Sequence, residues 1–293
     1  MLLQYKLIML AIIAMCCYEN PAQLRSGDGD KPVVGPEKGA LVVVGGGALS
    51  DTILKRFIEL AGGPDAPIVL IPTAGGAESY PAEAGNFLAR AGARNVRVLH
   101  TYDRQVAETD TFVKPLLDAR GIWFGGGRQW RLVDAYGGTR CEALFWKVLE
   151  RGGVIGGTSA GATIQGSYLT RGDTRNNQVM MGDHERGFGF LKNVAIDQHV
   201  LARNRQFDLF EIIRKRPELL GIGIDENTAI VVQGDQFQVL GASYVLMYDG
   251  NFWSREGSEL KNLPPGETRF YMLRSGDRYD LKERKVIAPA GRE

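Results

Sequence analysis

The chain is short of the side chains that staple or metallate proteins. It has three cysteines and three histidines in 293 residues. Cys16 and Cys17 lie inside one apolar run, so loss of that run would leave Cys141 alone. One cysteine makes neither an intramolecular disulfide nor a cysteine zinc site. Cys141 opens a helical pattern and reads as a packing residue. Charge of one sign is also lacking: 35 Lys and Arg against 34 Asp and Glu give a net charge of +1. That balance offers no basic surface for nucleic acid. No repeat of solenoid period is visible. The longest apolar run, LIMLAIIAMCCY at 7–18, has 12 residues. A membrane span needs ~20, so no span is expected.

That run, with Lys6 before it, reads as a secretory signal peptide over residues 1–22 and predicts a secreted or periplasmic protein. Met15 before Cys16 is a poor lipoprotein signal. Residues 23–38, QLRSGDGDKPVVGPEK, are rich in Gly, Pro and charge and read as a flexible linker. The remainder is 39–250, an α/β domain, and 251–293, a C-terminal β extension.

From Ala40 the chain alternates. Ala40–Val44 is a continuous apolar strand of the kind buried on both faces of a parallel sheet. Ser50 can cap a helix carrying Ile53, Leu54, Phe57, Ile58 and Ala61 at helical spacing. Strands follow at Ile68–Ile71, Val96–Leu99 and Ile122–Phe124. Helices are expected to about Arg90, around Leu116–Ala119, after Gln129 to about Tyr136, and over Cys141–Glu150. The alternation predicts an α/β fold with a mostly parallel central sheet. Ligands of such sheets bind at the strands' carboxyl ends. Three Gly-rich loops fall there, at 45–47, 125–127 and 156–161.

The third loop contains Gly157-Thr158-Ser159-Ala160-Gly161, the G-x-S-x-G pattern of a nucleophile elbow. A serine on a strained strand-to-helix turn presents its hydroxyl, and the next N–H, on Ala160, points where an oxyanion forms. A glycine-rich turn that cradles phosphate has a similar composition. A serine needs a base and an orienting acid. His184 lies in the polar stretch 170–189 and reads as a surface residue. His100 ends the third strand. His199 follows the short strand Val194–Ile196, expected to end at the same sheet edge, among Asp197, Gln198, Arg203 and Arg205. For the acid, Asp225-Glu226-Asn227 interrupts an apolar stretch, where a carboxylate is costly unless paired; Asp173 is the alternative. Arg203 to Lys215 reads as helix. From Gly221 the period falls toward two, with turns at 234–235, 249–251 and 275–277, which predicts antiparallel hairpins along one sheet edge and a small extra lobe from about 250.

GGTSAGA, DQHVLARNR and GIGIDENTAI, in that order, resemble the cyanophycinase branch of the serine peptidase family that includes aspartyl dipeptidase. The resemblance covers about residues 38–250. It implies a three-layer sandwich like the class I glutamine amidotransferases. It implies Ser159 as nucleophile, His199 as base and Glu226 as orienting acid. A family motif appears as Gly126-Gly127-Arg128-Gln129, which implies a second oxyanion donor at Gly127 and a substrate contact from Gln129. Arg128 stands where the family carries an acid. The implied substrate is a peptide or polypeptide rich in aspartyl and arginyl groups, such as cyanophycin, cleaved to β-Asp-Arg dipeptides. Asp197 would meet a substrate guanidinium beside Gln198, while Arg203 and Arg205 would grip carboxylates. Asp208 replaces a further arginine of the family. The alternatives are an aspartyl dipeptidase for α-linked substrates and a non-catalytic binding protein on the same fold. No metal or organic cofactor is implied. Family members are commonly dimers, so a homodimer is an expectation.

Overall fold

A computed structural model describes residues 33–287; the apolar run at 7–18 lies outside them. The elements in chain order are β1 (Ala40–Val44), α1 (Asp51–Ala61), β2 (Ile68–Ile71), α2 (Asn86–Arg90), β3 (Val96–Val98), α3 (Asp110–Leu117), β4 (Gly121–Phe124), α4 (Trp130–Tyr136), α5 (Arg140–Glu150), β5 (Val154–Thr158), α6 (Ala160–Thr163), β6 (Gly166–Tyr168), β7 (Leu191–Gln198), α7 (Leu209–Lys215), β8 (Leu220–Ile224), β9 (Thr228–Gln233), β10 (Gln236–Gly241), β11 (Tyr244–Tyr248), β12 (Tyr271–Arg274), β13 (Arg278–Asp280) and β14 (Lys285–Ile287).

They form two sheets. The larger runs β14-β13-β10-β9-β1-β5-β4-β2-β3, and the smaller runs β12-β11-β8-β7-β6. Strands β1, β5, β4, β2 and β3 are parallel, as the apolar runs predicted. β9 joins β1 antiparallel and continues into the β9–β10 hairpin. Successive β1 residues serve opposite cores. Leu41 and Val43 pack with Phe124, Phe145 and the inner face of the smaller sheet, including Ile196 and Ile224. Val42 and Val44 pack with Ile53, Phe57 and Trp123 under α1. The far face of the smaller sheet is covered by α7 through Leu209, Phe210 and Ile212.

Several expectations are corrected. β7, which leads into His199, belongs to the smaller sheet, paired in parallel with β6 and β8, and not to the sheet that carries Ser159. Its short apolar run could not reveal which sheet it joins. The helix expected from Arg203 begins only at Leu209. Asn204 takes a left-handed φ of 52° and breaks the helical path before it. The Ser50 side chain forms no cap bond, although Ile53, Leu54, Phe57, Ile58 and Ala61 are all buried on α1. The C-terminal extension is no separate lobe: β12 pairs with β11 in the smaller sheet, while β13 and β14 extend the larger one beyond β10. Nor is the end of the expected linker free. The N–H groups of Val33, Val34 and Gly35 donate to the Asp235 carboxylate at 2.8–2.9 Å.

Candidate active site

Strand register brings the site together where the two sheets meet. On β1, Val44 pairs with Thr158 of β5 on one side and Ala229 of β9 on the other. In the smaller sheet, Gln198 of β7 pairs with Ile224 of β8. Ser159, His199 and Glu226 each follow one of these strand ends by one or two residues. The segment between β8 and β9, which carries Glu226, passes from one sheet to the other.

Ser159 has φ 56° and ψ −112°, and α6 begins at the next residue. A non-glycine residue there is strained, and such strain clusters at functional sites. Glycines 157 and 161 allow the turn, since an added Cβ on either would strike backbone. Ser159 Oγ lies 2.9 Å from His199 Nε2. His199 Nδ1 lies 2.6 Å from Glu226 Oε1. Burial holds the His199 pKa below its ordinary value; Glu226 opposes this, and Arg203 and Arg205 add to the depression. The imidazole is therefore neutral, and able to accept a proton, across the neutral range.

The other histidines and the alternative acid lie elsewhere. His100 Nδ1 pairs with Thr73 Oγ1 at 2.9 Å. His184 bridges Asp134 and Asp183, at 2.8 and 3.0 Å, and is less free than a surface residue. Asp173 turns Oδ1 onto the N–H groups of Arg175 and Asn176, at 2.9 and 2.8 Å. Its oxygen caps its own loop.

Around the serine, the β4–α4 loop comes close: a Cβ on Gly126 would lie 3.4 Å from Ser159 Cβ. Gly127 follows at φ 138°, where an added Cβ would strike the backbone of Ala74 and Gly75. Ala160 opens α6, so its N–H has no carbonyl four residues back within the helix. Gln129 is fully buried. Its Nε2 donates to the Arg171 carbonyl at 3.0 Å and to that of Thr170, bracing segment 170–171, while Oε1 is buried without a partner. The Gln198 carbonyl and Oε1 both accept from Arg205. Arg205 is only 5% exposed, and among the described residues no carboxylate forms a hydrogen bond with it. Arg203 is exposed.

Asp197 differs from its expected role. It is fully buried, and both its oxygens are taken by Arg171, at 2.8 and 3.0 Å. Asp208, which stands where the family carries a further arginine, pairs with the same guanidinium. The guanidinium partner of Asp197 is thus supplied by the chain itself. Sequence reading missed Arg171 because it sits in a polar stretch 26 residues from Asp197. It also missed two supports of the site. Asp225 Oδ1 accepts the N–H groups of Leu201 and Ala202, tying down the segment after His199. Asn227 Oδ1 accepts the Ser50 N–H at 3.0 Å. The cost of a carboxylate inside an apolar stretch was the one available signal for Asp225. Among the described residues no group of three or more His, Cys, Asp or Glu could hold a metal ion, and no helix is long and apolar enough to cross a membrane.

This fold and this site define a serine-type hydrolytic peptidase. The model of peptidase family S51 matches residues 41–240, and the chain belongs to that family. It is 32% identical over 267 residues to the cyanophycinase of Geminocystis herdmanii, covering 86% of this chain and 97% of that one. It is 31% identical over 273 residues to the cyanophycinase of a Nostoc species, covering 85% and 88%. A crystallised peptidase from an acI-B1 actinobacterium superposes with a TM-score of 0.61 at 27% identity, over 83% of this chain and 97% of that one.

Proposed function

We propose that the chain is an exported Ser-His-Glu peptidase that cleaves aspartyl peptide or isopeptide bonds through an acyl-enzyme. The observation that carries this reading is the unbroken hydrogen-bonded line from Ser159 Oγ through both His199 nitrogens to Glu226. His199 Nε2 takes the Ser159 proton as Oγ attacks the carbonyl carbon. Glu226 holds Nδ1–H and stabilises the imidazolium that forms. The tetrahedral oxyanion lies between N–H groups at Ala160 and Gly127. His199 then protonates the leaving amine, and water, deprotonated by the same ring, releases the acid. Export is supported by the apolar run at 7–18.

Arg205 is the chosen partner of a substrate carboxylate. Its guanidinium is buried with Gln198 as hydrogen-bond partner and with the cations Arg171 and Arg203 nearby, while the neighbouring Asp197 and Asp208 are already held by Arg171; an incoming carboxylate relieves the cost of that burial. Arg203 at the surface adds steering. Cleavage of the cyanophycin type, releasing β-Asp-Arg, follows from likeness to the cyanophycinases. The α-aspartyl dipeptidase reading gains from Arg171, which occupies the carboxylate otherwise offered to a substrate arginine. Purified enzyme assayed on cyanophycin, β-Asp-Arg, β-Asp-Leu and α-Asp-Leu decides between them. Release of β-Asp-Arg supports the first reading. Turnover confined to α-linked dipeptides supports the second, and no turnover of any rejects both.

A further inference from the structure

The loop after β1 touches every member of the catalytic line, and it does so in sequence order. Three consecutive carbonyls, of Val44, Gly45 and Gly46, accept the N–H groups of Ser159, His199 and Asn227 at 3.0, 2.9 and 2.9 Å. Asn227 is the residue after Glu226. The three donors have φ of 56°, 56° and 49°, and none is glycine. Each is held in a region that side chains avoid, and each by one of three consecutive carbonyls running from the end of β1 into the loop. The loop is itself fixed at both ends. Gly45 N–H donates to the Thr228 carbonyl at 3.0 Å, and the Asn227 side chain accepts the Ser50 N–H at the start of α1.

The glycines here are needed for contact as well as for conformation. A Cβ on Gly46 would lie 2.5 Å from His199 Nε2 and 2.7 Å from Nδ1, so the imidazole rests on the bare Gly46 backbone. A Cβ on Gly47 would lie 2.6 Å from Glu226 Oε2. A Cβ on Gly45 would strike the carbonyls of Ile224 and Asp225. No real side chain approaches so closely, and for Gly46 and Gly47 the crowding falls on the two groups that must stay aligned with Ser159.

We propose that Gly45–Gly47 is the positioning template of the triad, with Gly46 as the seat of the His199 imidazole. This rests on the Ser-His-Glu reading. The loop touches no reacting atom of the substrate. It continues from the Val44 carbonyl that holds Ser159 to the Gly45 and Gly46 carbonyls that hold His199 and Asn227, the residue after Glu226, and its missing side chains set the height of the ring between Glu226 and Ser159.

The test is Gly46→Ala, with Gly63→Ala and Gly152→Ala as controls. Gly63 and Gly152 also have positive φ, 100° and 77°, but an added Cβ there meets nothing within 4 Å. They measure backbone strain without the ring contact. In Gly46→Ala, kcat should fall at least ~100-fold with KM within ~3-fold of wild type, while both controls keep kcat within ~3-fold. The acid limb of kcat/KM should move, because a displaced ring changes the burial that lowers its pKa, the Glu226 contact that raises it and its distance from Arg203 and Arg205. In a Glu226→Gln background Gly46→Ala should cost less than ~5-fold more, since the line is already broken. Loss no greater than in the controls, an unmoved acid limb or full additivity with Glu226→Gln overturns the proposal. Where Gly46→Ala gives no cooperative thermal transition, Gly47→Ala, crowding Glu226, is read against the same controls and the same outcomes. Wild-type protein that neither turns over an aspartyl substrate nor reacts with a fluorophosphonate defeats the triad reading. Active wild type with an unimpaired variant defeats only the template.

Discussion

Replacing Glu226 by Gln keeps the size of the side chain and removes its charge. The lost partner sits 2.6 Å from His199 Nδ1. In the ground state the ring is neutral and little is lost. In the transition state the ring is a cation, and the carboxylate that faced it is gone. A bond made mainly to the charged form is worth ~10²–10⁴ in kcat. At ~1.36 kcal/mol per decade, this is roughly 2.7–5.4 kcal/mol. The lower half of that range applies, because the Glu226 side chain is 37% exposed and water screens it. The amide can also turn its NH₂ toward Nδ1, which favours the tautomer that cannot accept the serine proton. KM should change little. Glu226 raises the His199 pKa against burial, so its loss should shift the acid limb of kcat/KM to lower pH. The assay is steady-state hydrolysis of an aspartyl substrate between pH 4.5 and 8.5, with Asp173→Asn in parallel. Asp173→Asn should lose much less, since Asp173 caps its own loop. A larger loss in Asp173→Asn than in Glu226→Gln would refute the assignment.

Arg203→Ala should raise the His199 pKa by removing a nearby positive charge, moving the acid limb of kcat/KM upward; a downward shift would count against that coupling. Because the folded His199 pKa lies below its unfolded value, the stability linked to it is complete above ordinary histidine titration and is lost as pH falls through the folded pKa; thermal melts across pH 5–8 should show this sign in wild type and lose it in His199→Gln. Arg171→Met leaves Asp197 buried without its cation and should destabilise by about 3–5 kcal/mol; a melting temperature unchanged from wild type would show that the pair is not formed. Protein recovered from its native host should start between about Cys16 and Arg25 by mass spectrometry, and an intact Met1 on soluble cytoplasmic protein would reject export.

The parallel half of the larger sheet was legible because its strands are continuous apolar runs separated by helical patterns. The five buried positions of α1 fell where the 3.6 period placed them. Ser159 was legible because small residues on both sides of a serine have few uses besides a tight turn. The second sheet was not legible. β6 has three residues and β7 carries Asp197, so neither announces a partner strand. Sequence order also concealed that β12 and β13, although consecutive, join different sheets. The Arg171–Asp197–Asp208 cluster was invisible for a related reason: charged residues in a polar stretch read as solvated until folding buries them together. The glycines after β1 were visible as a loop. Their contact with His199 and Glu226 depends on a crossing between two sheets that no local pattern encodes.

The most direct measurement is fluorophosphonate labelling with peptide mapping, on wild type and Ser159→Ala in parallel with hydrolysis of the aspartyl substrate. The account predicts a single adduct on Ser159 that forms in step with loss of activity. It predicts no adduct and nearly no turnover in Ser159→Ala, with the melting temperature retained. Full activity in Ser159→Ala, or inactivation by an adduct on another residue, would contradict it.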